Sequence, residues 1–600
     1  MISYRISPYA HIIETRLAPE SVSYSIIHQL TGETLDLSER VRSFLLSLKL
    51  LKRLVLSEDN LQNPDEESLR LRHLVEGKFL IPDDCDPLVS FFGHYAIRPA
   101  QNPALGFRDA QGEEWLARTS MEYFLMSPGK AELPQIVEEK MPAATAGIYR
   151  LSDGTKTLRE ICETLQLSPN DRTEPEIREA IEFLAAADRQ LIKLTLRRED
   201  ISDPFSPVNA VPRSQYHSSL WNPQPSADPS DRIIDFHLHG IDDAAREFDW
   251  IETTINHAFR FPGEVLGGLD YGSIFCLSTL KPEVLPSLGS STRLAVLEVG
   301  GGTGTFARSF IGQALNQDTI AFERTGLKYH ILDLSPTLIE SQRTLLSGGP
   351  APVTHFQQDA TKLDLPGLTF DLIVANEVVA DFPMASVLRT PGKGQTGGMD
   401  EPPEKKSPVW SGDGASFIGK YGLPVEDAPD SFLVNAGMFR FIERSWEHLS
   451  PGGALVLSEY GGENTYPVQL YNLNHDEYSI HFGHAVACAQ RVGFRCRLLS
   501  LKEFLGMNDE ILMLDGHAEH LLCLNHVLEK SGTSIPYGAI SRKDFEIRFG
   551  EVVKKMGVVG SSFSPLRSGA HFGPDVSGFM VLIMNKPVEP ELFLDSRMRP

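Results

Sequence analysis

A glycine-rich segment, EVGGGTGTFA at residues 298–307, limits the fold of this chain more than any other feature. It follows Leu294–Val299, an apolar and β-branched run typical of a buried parallel strand. Residues 305–315 then have a helical pattern. A turn this tight, with a ligand pressed onto the backbone, requires residues without Cβ, and the helix behind it offers unpaired amide groups. The segment therefore predicts an α/β fold that binds a ligand at a strand-to-helix turn.

The glycines alone do not identify the ligand. Gly302-x-Gly304-x-x-Ala307 satisfies the dinucleotide fingerprint. However, Glu298 precedes Gly300, which completes the E-x-G-x-G-x-G arrangement of class I methyltransferases. A dinucleotide needs no acid there, because its pyrophosphate is anionic. The methionyl ammonium group of S-adenosylmethionine suits a carboxylate by charge-assisted hydrogen bonding.

Three more strand ends carry polar residues. Asp333 ends the next predicted strand and can accept both ribose hydroxyls, although NAD enzymes use the same device. Asp359 follows a third strand, within reach of the adenine amino group. Asn376 and Glu377 end a fourth strand, beside the expected methyl group. Together with the glycine loop, these positions predict S-adenosylmethionine as the cofactor.

The chain divides at a proline-rich segment, residues 199–232, which predicts an exposed linker. Residues 1–100 and 101–198 share a loose pattern of strand, glycine turn, two helices and closing strand, which favours a winged-helix module present twice. Residues 233–600 alternate strands and helices. The predicted fold class is therefore α/β: a class I, Rossmann-like S-adenosylmethionine methyltransferase domain behind α+β winged-helix modules.

The second N-terminal segment also resembles a known family. Tyr149 to Ile161 and Ala180 to Ala185 are similar to PqqD-like domains, also called RiPP recognition elements, which bind the leader of a precursor peptide. The resemblance implies that an extended peptide adds to a sheet edge beside a helix. A winged helix that serves only interdomain packing is the alternative. DNA binding is disfavoured by the net charge, although the basic run at residues 40–53 keeps it open.

Composition excludes several classes of protein. The net charge of −24 argues against nucleic acid as the main partner, because duplex binding depends on neutralising phosphates. No secretory signal and no run of eighteen apolar residues is apparent, which argues against a membrane partner. The six cysteines form no CxxC pair, so neither structural zinc nor a disulfide framework is expected. We expect a cytoplasmic protein without a metal, and a homodimer stays open.

The region from Phe236 to Lys586 resembles the MidA-like methyltransferases, a family that includes a mitochondrial complex I assembly factor. The most specific match is Ala375–Pro383, ANEVVADFP. The other matching pieces are residues 298–307, 329–336 with Gln342, 453–461, 481–484 with Gly493 and Phe494, and 503–505. The best understood member methylates a protein arginine. The resemblance thus implies arginine N-methylation, and the PqqD-like region points to a ribosomally synthesised precursor peptide as the substrate.

The acceptor side contains four candidate catalytic residues: Glu377, Asp381, Glu459 and His481. The carboxylates can orient a guanidinium, and His481 can line the pocket or act as a base. Asp381 is alternatively a helix cap, and Glu459 a hydrogen-bond acceptor behind the site.

Departures from the family gather here and predict a shift of substrate. Val378 and Val379 replace an aromatic pair, Glu459 replaces an aspartate, and an insertion occupies residues 385–430.

Two other functions stay open. One is a small-molecule N- or O-methyltransferase, and the other is a non-catalytic assembly factor that retains the cofactor fold. His237-x-His239 has the spacing of a strand-borne metal pair. The barrel pattern that would support such a site is missing, so no metal is predicted.

Overall fold

The computed structural model describes residues 104–119, 136–152, 154–167, 174–185, 191–196, 236–241, 254–290, 293–316, 326–390, 409–471, 476–514, 518–535, 539–561, 563–568 and 576–588, with short pieces of residues 2–99. The predicted linker at residues 199–232 lies outside the described residues. The same holds for residues 391–408 within the predicted insertion.

Antiparallel strands make up most of the described pieces of residues 2–99. They are β1 (Ile2–Ile6), β2 (Ala10–Ala18), β3 (Ser21–His28), β4 (Thr34–Leu37), β5 (Leu54–Leu56), β6 (Leu80–Pro82) and β7 (Tyr95–Pro99). β3 lies between β2 and β4, and β1 lies between β5 and β6. Most residues between these strands are not described, so a winged helix in residues 1–100 stays a prediction.

Residues 104–196 form a three-stranded antiparallel sheet, three helices and a closing strand. The elements are β8 (Ala104–Arg108), β9 (Glu114–Thr119), β10 (Ile136–Lys140), α1 (Ala143–Leu151), α2 (Leu158–Thr164), α3 (Glu174–Ala185) and β11 (Ile192–Leu196). β9 is the central strand, and β11 pairs with β7. The two predicted helices and the closing strand of this segment are confirmed, and α2 begins with a capping box formed by Thr157 and Glu160.

The pattern predicted for residues 101–198 places its first strand at residues 148–151, and this placement is wrong, because these residues end helix α1. The buried side chains of Ala146, Ile148 and Tyr149 face one core, and Ala146 and Tyr149 are three positions apart, as on one face of a helix. A short apolar run does not distinguish a strand from one turn of a buried helix. Gly154, with φ at +84°, follows this helix as the predicted glycine turn.

Residues 254–588, here called the catalytic half because the candidate catalytic residues predicted above lie in it, contain the remaining elements. Its first part has α4 (Ile255–Ala258), α5 (Tyr271–Thr279), β12 (Leu294–Val299), α6 (Thr305–Leu315), β13 (Leu327–Asp333), α7 (Pro336–Leu346), β14 (Val353–Gln357), β15 (Phe370–Asn376), β16 (Met384–Thr390), β17 (Val409–Ser411), α8 (Ala415–Tyr421) and β18 (Ser431–Asn435). Its second part has α9 (Ala436–His448), β19 (Leu449–Gly462), β20 (Gln469–Tyr471), β21 (Asp476–Tyr478), β22 (Ile480–His481), α10 (Phe482–Val492), β23 (Arg495–Ser500), α11 (Leu501–Leu505), β24 (Leu512–Leu514), α12 (Ala518–Glu529), α13 (Arg542–Met556), β25 (Phe563–Pro565) and β26 (Phe579–Asn585).

Eight of the described strands form the central sheet: seven follow the order β14, β13, β12, β15, β19, β26, β23, and β22 pairs with the end of β19. β12 pairs in parallel with both β13 and β15, whereas β26 runs antiparallel to β19 and β23. The strand order reverses between β12 and β15. Ligands of doubly wound sheets bind at the carboxyl ends of the strands beside such a reversal. The predicted α/β class I methyltransferase fold is therefore confirmed.

Two apolar clusters cover the faces of this sheet. On one face, Phe275 of α5 and Phe310 of α6 pack with Tyr329 of β13. On the other face, Phe439 of α9 and Phe482 of α10 pack against β15 and β19. Full burial of a phenylalanine stabilises the fold by about 1.5–3 kcal/mol. These clusters hold the strand ends in a fixed relation to one another.

The described part of the predicted insertion forms a small antiparallel sheet together with β18, the strand that follows it. β16 lies between β17 and β18, and the chain from Met384 to Asn435 returns directly into α9. Val387, Tyr421 and Leu423 of the insertion pack into the second apolar cluster. The described part of the insertion is therefore built onto the core beside the candidate acceptor side.

The sheet of β8–β10 joins the N-terminal segment to the catalytic half. Ala104 and Leu116 face α1, α2 and α3. Leu105 and Phe107, on the opposite face, pack against side chains of α12 and α13. Because adjacent residues of a strand point to opposite faces, one sheet serves two cores.

Polar contacts reinforce this junction. The amide of Gly106 donates to the Val559 carbonyl at 3.0 Å, and the amide of Val559 donates back at 2.8 Å. Arg150 of α1 donates to the carbonyl of Gly557 and pairs with Glu114. The described part of residues 104–196 is therefore packed directly onto the catalytic half through these contacts.

Among the described residues, no helix has both the length and the hydropathy needed to cross a bilayer. The cysteines in these residues are free thiols: Cys162, Cys276, Cys488, Cys496 and Cys523.

Candidate active site

The turn between β12 and α6 is built from glycines with left-handed backbones. Gly300, Gly302 and Gly304 have φ values of +72°, +50° and +88°. A Cβ at Gly300 would lie 2.6 Å from Cγ2 of Val378, so contact as well as conformation excludes a larger residue. A Cβ at Gly302 would meet nothing within 4 Å, so the loop borders open space there.

Asp333, at the end of β13, is buried and holds the glycine loop. Its Oδ2 accepts hydrogen bonds from the Gly301 amide at 3.1 Å and from Nε2 of Gln342 at 2.8 Å. Its Oδ1 accepts from the Ser335 amide at 3.0 Å. Burial raises the pKa of Asp333. The carboxylate thus already supports the loop, and its bonds to ribose hydroxyls stay a prediction.

Glu298 lies deeper than the sequence suggests. Its side chain points from β12 into the apolar cluster that contains α5 and α6, and Tyr329 donates its hydroxyl to Oε2 at 2.9 Å. Burial raises the pKa of Glu298 to about 8. An ammonium group beside this carboxyl would lower the pKa again by favouring the charged form. Contact with the methionyl ammonium stays a prediction.

Asp359 caps the 3-10 turn Ala360–Lys362. Its Oδ1 accepts from the amide and the hydroxyl of Thr361, and its Oδ2 pairs with Lys362 at 3.0 Å. These hydrogen bonds hold the pKa of Asp359 below its ordinary value although burial alone would raise it. The carboxylate is therefore ionised, and it lies after the end of β14. Its contact with adenine stays a prediction.

Asn376 is oriented by a buried tyrosine that the sequence analysis missed. The hydroxyl of Tyr271, on α5, donates to Oδ1 of Asn376 at 2.7 Å. The amide of Asn376 then donates from Nδ2 to Oε1 of Glu377 at 3.1 Å. Tyr271 is fully buried. No sequence motif includes Tyr271, and its partner Asn376 lies 105 residues further along the chain, so only the tertiary fold brings the two side chains together.

Glu377 has the most unusual backbone of the candidate residues. Its φ is +51°, a left-handed conformation that non-glycine residues seldom adopt. Backbone strain of this kind is found most often at functional sites. The amide of Ile255 donates to both carboxylate oxygens, at 3.0 and 2.8 Å. Burial raises the pKa of Glu377 to about 7. This carboxyl group can therefore change its charge near neutral pH.

Glu459, on β19, supports the turn after Asn376. Its Oε2 accepts from the amides of Val379 and Ala380, both at 3.1 Å, and its Oε1 accepts from the amide of Tyr460 at 2.9 Å. Burial raises its pKa well above the ordinary value. These contacts correspond to the alternative role considered for Glu459, a hydrogen-bond acceptor behind the site. A direct catalytic role stays a prediction.

Asp381 pairs with a histidine from the segment before the catalytic sheet. Nε2 of His237 lies 3.1 Å from Oδ2 of Asp381. In the sequence, His237 and His239 stand out only by the spacing of a metal pair. Within the described ranges, no three histidine, cysteine, aspartate or glutamate side chains are grouped to hold a metal ion. The motif was visible in the sequence, but its partner lies 144 residues away.

His481 is buried and caps α10. Its Nδ1 accepts from the His484 amide at 3.3 Å, and the two rings stack with centroids 3.7 Å apart. Burial lowers the pKa of His481 to about 3. A base that works near neutral pH needs a pKa close to that value. The geometry is that of a capping residue, and a role for His481 at the acceptor stays a prediction.

The glycine loop, Asp333, Asn376, Glu377 and Asp381 therefore meet at the carboxyl ends of β12, β13 and β15. The residues fit S-adenosylmethionine: the loop borders open space at Gly302, and α6 starts after Gly304 without a side-chain cap. The cofactor supplies an electrophilic methyl group on a positively charged sulfur. Asp333 and the loop would bind it, while Asn376 and Glu377 lie where the methyl group is expected.

The strand order and this loop define a class I S-adenosylmethionine-dependent methyltransferase. Residues 277–474 match the family model described as "Putative S-adenosyl-L-methionine-dependent methyltransferase". The chain is accordingly a methyltransferase that uses S-adenosylmethionine as its cofactor. The matched region includes the glycine loop, all four strand ends and Glu459.

The solved structures that match this chain share little sequence with it. Two structures from Burkholderia thailandensis, one of them bound to S-adenosyl-homocysteine, are each 16% identical. Each alignment covers 62% of this chain and 96% of the other, with a TM-score of 0.31. A methyltransferase from Mesorhizobium loti is 14% identical, with coverages of 50% and 94% and a TM-score of 0.24. No curated protein matches the sequence.

Proposed function

We propose that the enzyme methylates a side-chain nitrogen of arginine in a peptide or protein, and that a ribosomally synthesised precursor peptide is the substrate. The supporting observation is a group of four carboxyls on the acceptor side, here called the acidic cluster: Glu377, Asp381, Glu459 and Glu477. β21, which contains Glu477, packs across the turn at residues 379–381.

Three members of the acidic cluster, Glu377, Glu459 and Glu477, repel one another. After burial, which is the largest cause, the charge on Glu477 further raises the pKa values of Glu377 and Glu459. Glu377 also raises the pKa of Glu459. A cation bound among these groups relieves the repulsion, whereas an anionic or neutral acceptor does not. The electrostatics therefore favour a positively charged acceptor.

A guanidinium fits such a site better than other cations do. It is planar, keeps its charge at all physiological pH values and presents five N–H donors in a fork that matches carboxylates. Glu459 already accepts three backbone amides, and Asp381 is paired with His237. We assign orientation of the guanidinium to Glu377, because it follows Asn376 at the end of β15 and its ionised form has acceptor sites beyond those that the amides of Ile255 and Asn376 occupy.

A peptide substrate also agrees with the packing of the N-terminal segment. Among the described strands, β10 pairs only with β9, so an extended peptide has a sheet edge to which it can add. The same sheet is hydrogen-bonded to the catalytic half through Gly106 and Val559. A leader bound at this edge would stay at a constant distance from the acidic cluster.

A matched set of synthetic peptides tests the acceptor. The full chain is incubated with S-adenosylmethionine carrying a deuterated methyl group and with peptides that differ only in a central arginine, citrulline or lysine. Citrulline keeps the shape of arginine but carries no charge. We expect label only in the arginine peptide, located by tandem mass spectrometry.

Two outcomes would contradict this function. Equal labelling of the citrulline peptide would remove the electrostatic reason for arginine. Labelling of small amines or phenols, with no label in any peptide, would establish the small-molecule alternative.

A further inference from the structure

A single π-helical turn, Phe236–Gly240, brings a histidine to the acceptor side. Phe236 packs with Ile241 against Leu338 of α7, which is the helix that follows β13. The rings of Phe236 and His237 meet edge to face, with centroids 5.3 Å apart. These apolar contacts hold the turn beside the carboxyl end of β13, so the position of His237 is determined by packing.

His237 lies between two acids that belong to different parts of the site. Its Nε2 is 3.1 Å from Oδ2 of Asp381, and the two side chains are only 17% and 16% exposed. The positive charge of His237 also lowers the pKa of Asp333, against the larger effect of burial. The ring is thus close both to the end of β13 and to the acidic cluster.

Asp381 is itself held in place by the turn that carries it. Glu459 accepts the amides of Val379 and Ala380, and Nδ2 of Asn435 donates to the carbonyl of Val379 at 2.8 Å. A carboxylate in this position accepts the proton of Nε2 and so places the lone pair of the neutral ring on Nδ1. Histidine activated in this way is a common general base.

We propose that His237 accepts the proton that the acceptor nitrogen releases, with Asp381 as its positioning residue. The acceptor nitrogen forms a bond to the methyl carbon, and the bond between that carbon and sulfur breaks with its electron pair remaining on sulfur. The proton leaves the nitrogen for Nδ1 of His237 and passes to solvent. Glu377 orients the same nitrogen, so orientation and proton transfer belong to different residues.

This role rests on the nitrogen acceptor proposed above, but the state of the histidine can be measured without any acceptor. The full chain is labelled with ¹³C at histidine Cε1, and the signal of His237 is identified by its loss in His237→Gln. We expect Asp381→Asn to lower the pKa of His237 by about one unit, because a neighbouring carboxylate favours the charged ring. An unchanged titration in Asp381→Asn would overturn the pairing.

Rate measurements then separate a base from a mere contact. In His237→Gln, the amide nitrogen can replace Nε2 as the donor to Asp381, but no basic nitrogen is left. We expect His237→Gln and His237→Ala both to lower kcat by about 10²-fold or more. Binding of S-adenosylmethionine, measured by calorimetry, should be unchanged in His237→Gln. The control is His239→Gln, an exposed histidine two residues away, which should keep the parent rate.

The outcomes are distinguishable. If His237→Gln keeps full activity and His237→Ala loses it, His237 only holds Asp381, and its assignment as the proton acceptor is wrong. If no arginine peptide is methylated by the parent enzyme, the proposed substrate is wrong, while the titration still decides whether His237 is coupled to Asp381.

Discussion

The amide of Ile255 donates to both carboxylate oxygens of Glu377, 122 residues further along the chain. This contact ties the first turn of α4 to the residue that leaves β15 with a left-handed backbone. The segment before the catalytic sheet therefore contributes a backbone hydrogen bond to the acceptor side. His237, from the same segment, contributes its side chain, which contacts Asp381.

Replacement of Glu377 by glutamine should weaken binding of an arginine peptide more than binding of the cofactor. The variant loses a charge-assisted hydrogen bond worth about 1.5–3 kcal/mol, which corresponds to a KM about 10- to 100-fold higher. Because burial raises the pKa of Glu377 to about 7, kcat/KM of the parent should rise as the pH increases through 7. This dependence should be absent from Glu377→Gln.

The matched control is Glu447→Gln, which removes an exposed carboxylate that pairs with Arg444 on the surface of α9. It should leave both KM and the pH profile unchanged. A Glu377→Gln variant with the parent KM would show that Glu377 does not meet the acceptor.

Tyr271→Phe should shift the same pH profile. Without the hydroxyl, Asn376 loses the bond that fixes its orientation, and with it the donor that lowers the pKa of Glu377. We expect the rise of kcat/KM to move to higher pH by about half a unit to one unit. Tyr329→Phe is a fitting control, since it removes an equally buried hydroxyl that bonds to Glu298 instead. An identical shift in both variants would exclude a specific role for Tyr271.

Gly300→Ala should damage both stability and cofactor binding. Alanine at φ +72° is strained by about 1–3 kcal/mol, and its Cβ would meet Val378 at 2.6 Å. Gly348→Ala provides the comparison, because its φ is +70° and a Cβ there would meet nothing within 4 Å. Calorimetry with S-adenosylmethionine should show weaker binding only for Gly300→Ala. Equal losses of cofactor affinity in both variants would show that backbone strain alone, and not the contact with Val378, weakens binding.

Arg150→Ala should loosen the N-terminal segment from the catalytic half. The variant loses a pair with Glu114 and a bond to the Gly557 carbonyl, which together should cost about 1–3 kcal/mol because the partners are left partly buried. Arg108→Ala removes another partner of Glu114 that is half-exposed and does not reach the catalytic half. Limited proteolysis should release the N-terminal segment earlier in Arg150→Ala alone. Release of the N-terminal segment at the same rate from both variants would show that the apolar contacts alone hold it to the catalytic half.

Much of the catalytic half was predictable from residues 294–377. The strand Leu294–Val299 and the helix Thr305–Leu315 were predicted with the bounds that the structure has. Buried parallel strands and the glycine turn leave strong local signals, because both depend on side-chain size and backbone conformation at adjacent positions. The strand ends that carry Asp333 and Asn376 were found for the same reason.

The contacts of the acceptor side were not predictable in this way. His237 was considered only as one of a metal pair, and Tyr271 was not considered at all. Their partners, Asp381 and Asn376, lie more than a hundred residues away. Glu459 and Glu298 also have buried partners that sequence spacing does not reveal.

The sequence by itself determined the glycine loop, the α/β alternation and the set of acids at the strand ends, since these follow from local conformation and from periodicity. Only the tertiary structure decided which acids face the acceptor, which support backbone amides and which histidine joins them. The physical reason is that hydrogen bonds and pKa values depend on distance and burial in the folded chain. The packing of β8–β10 between two cores likewise arises from faces that only the folded chain brings together.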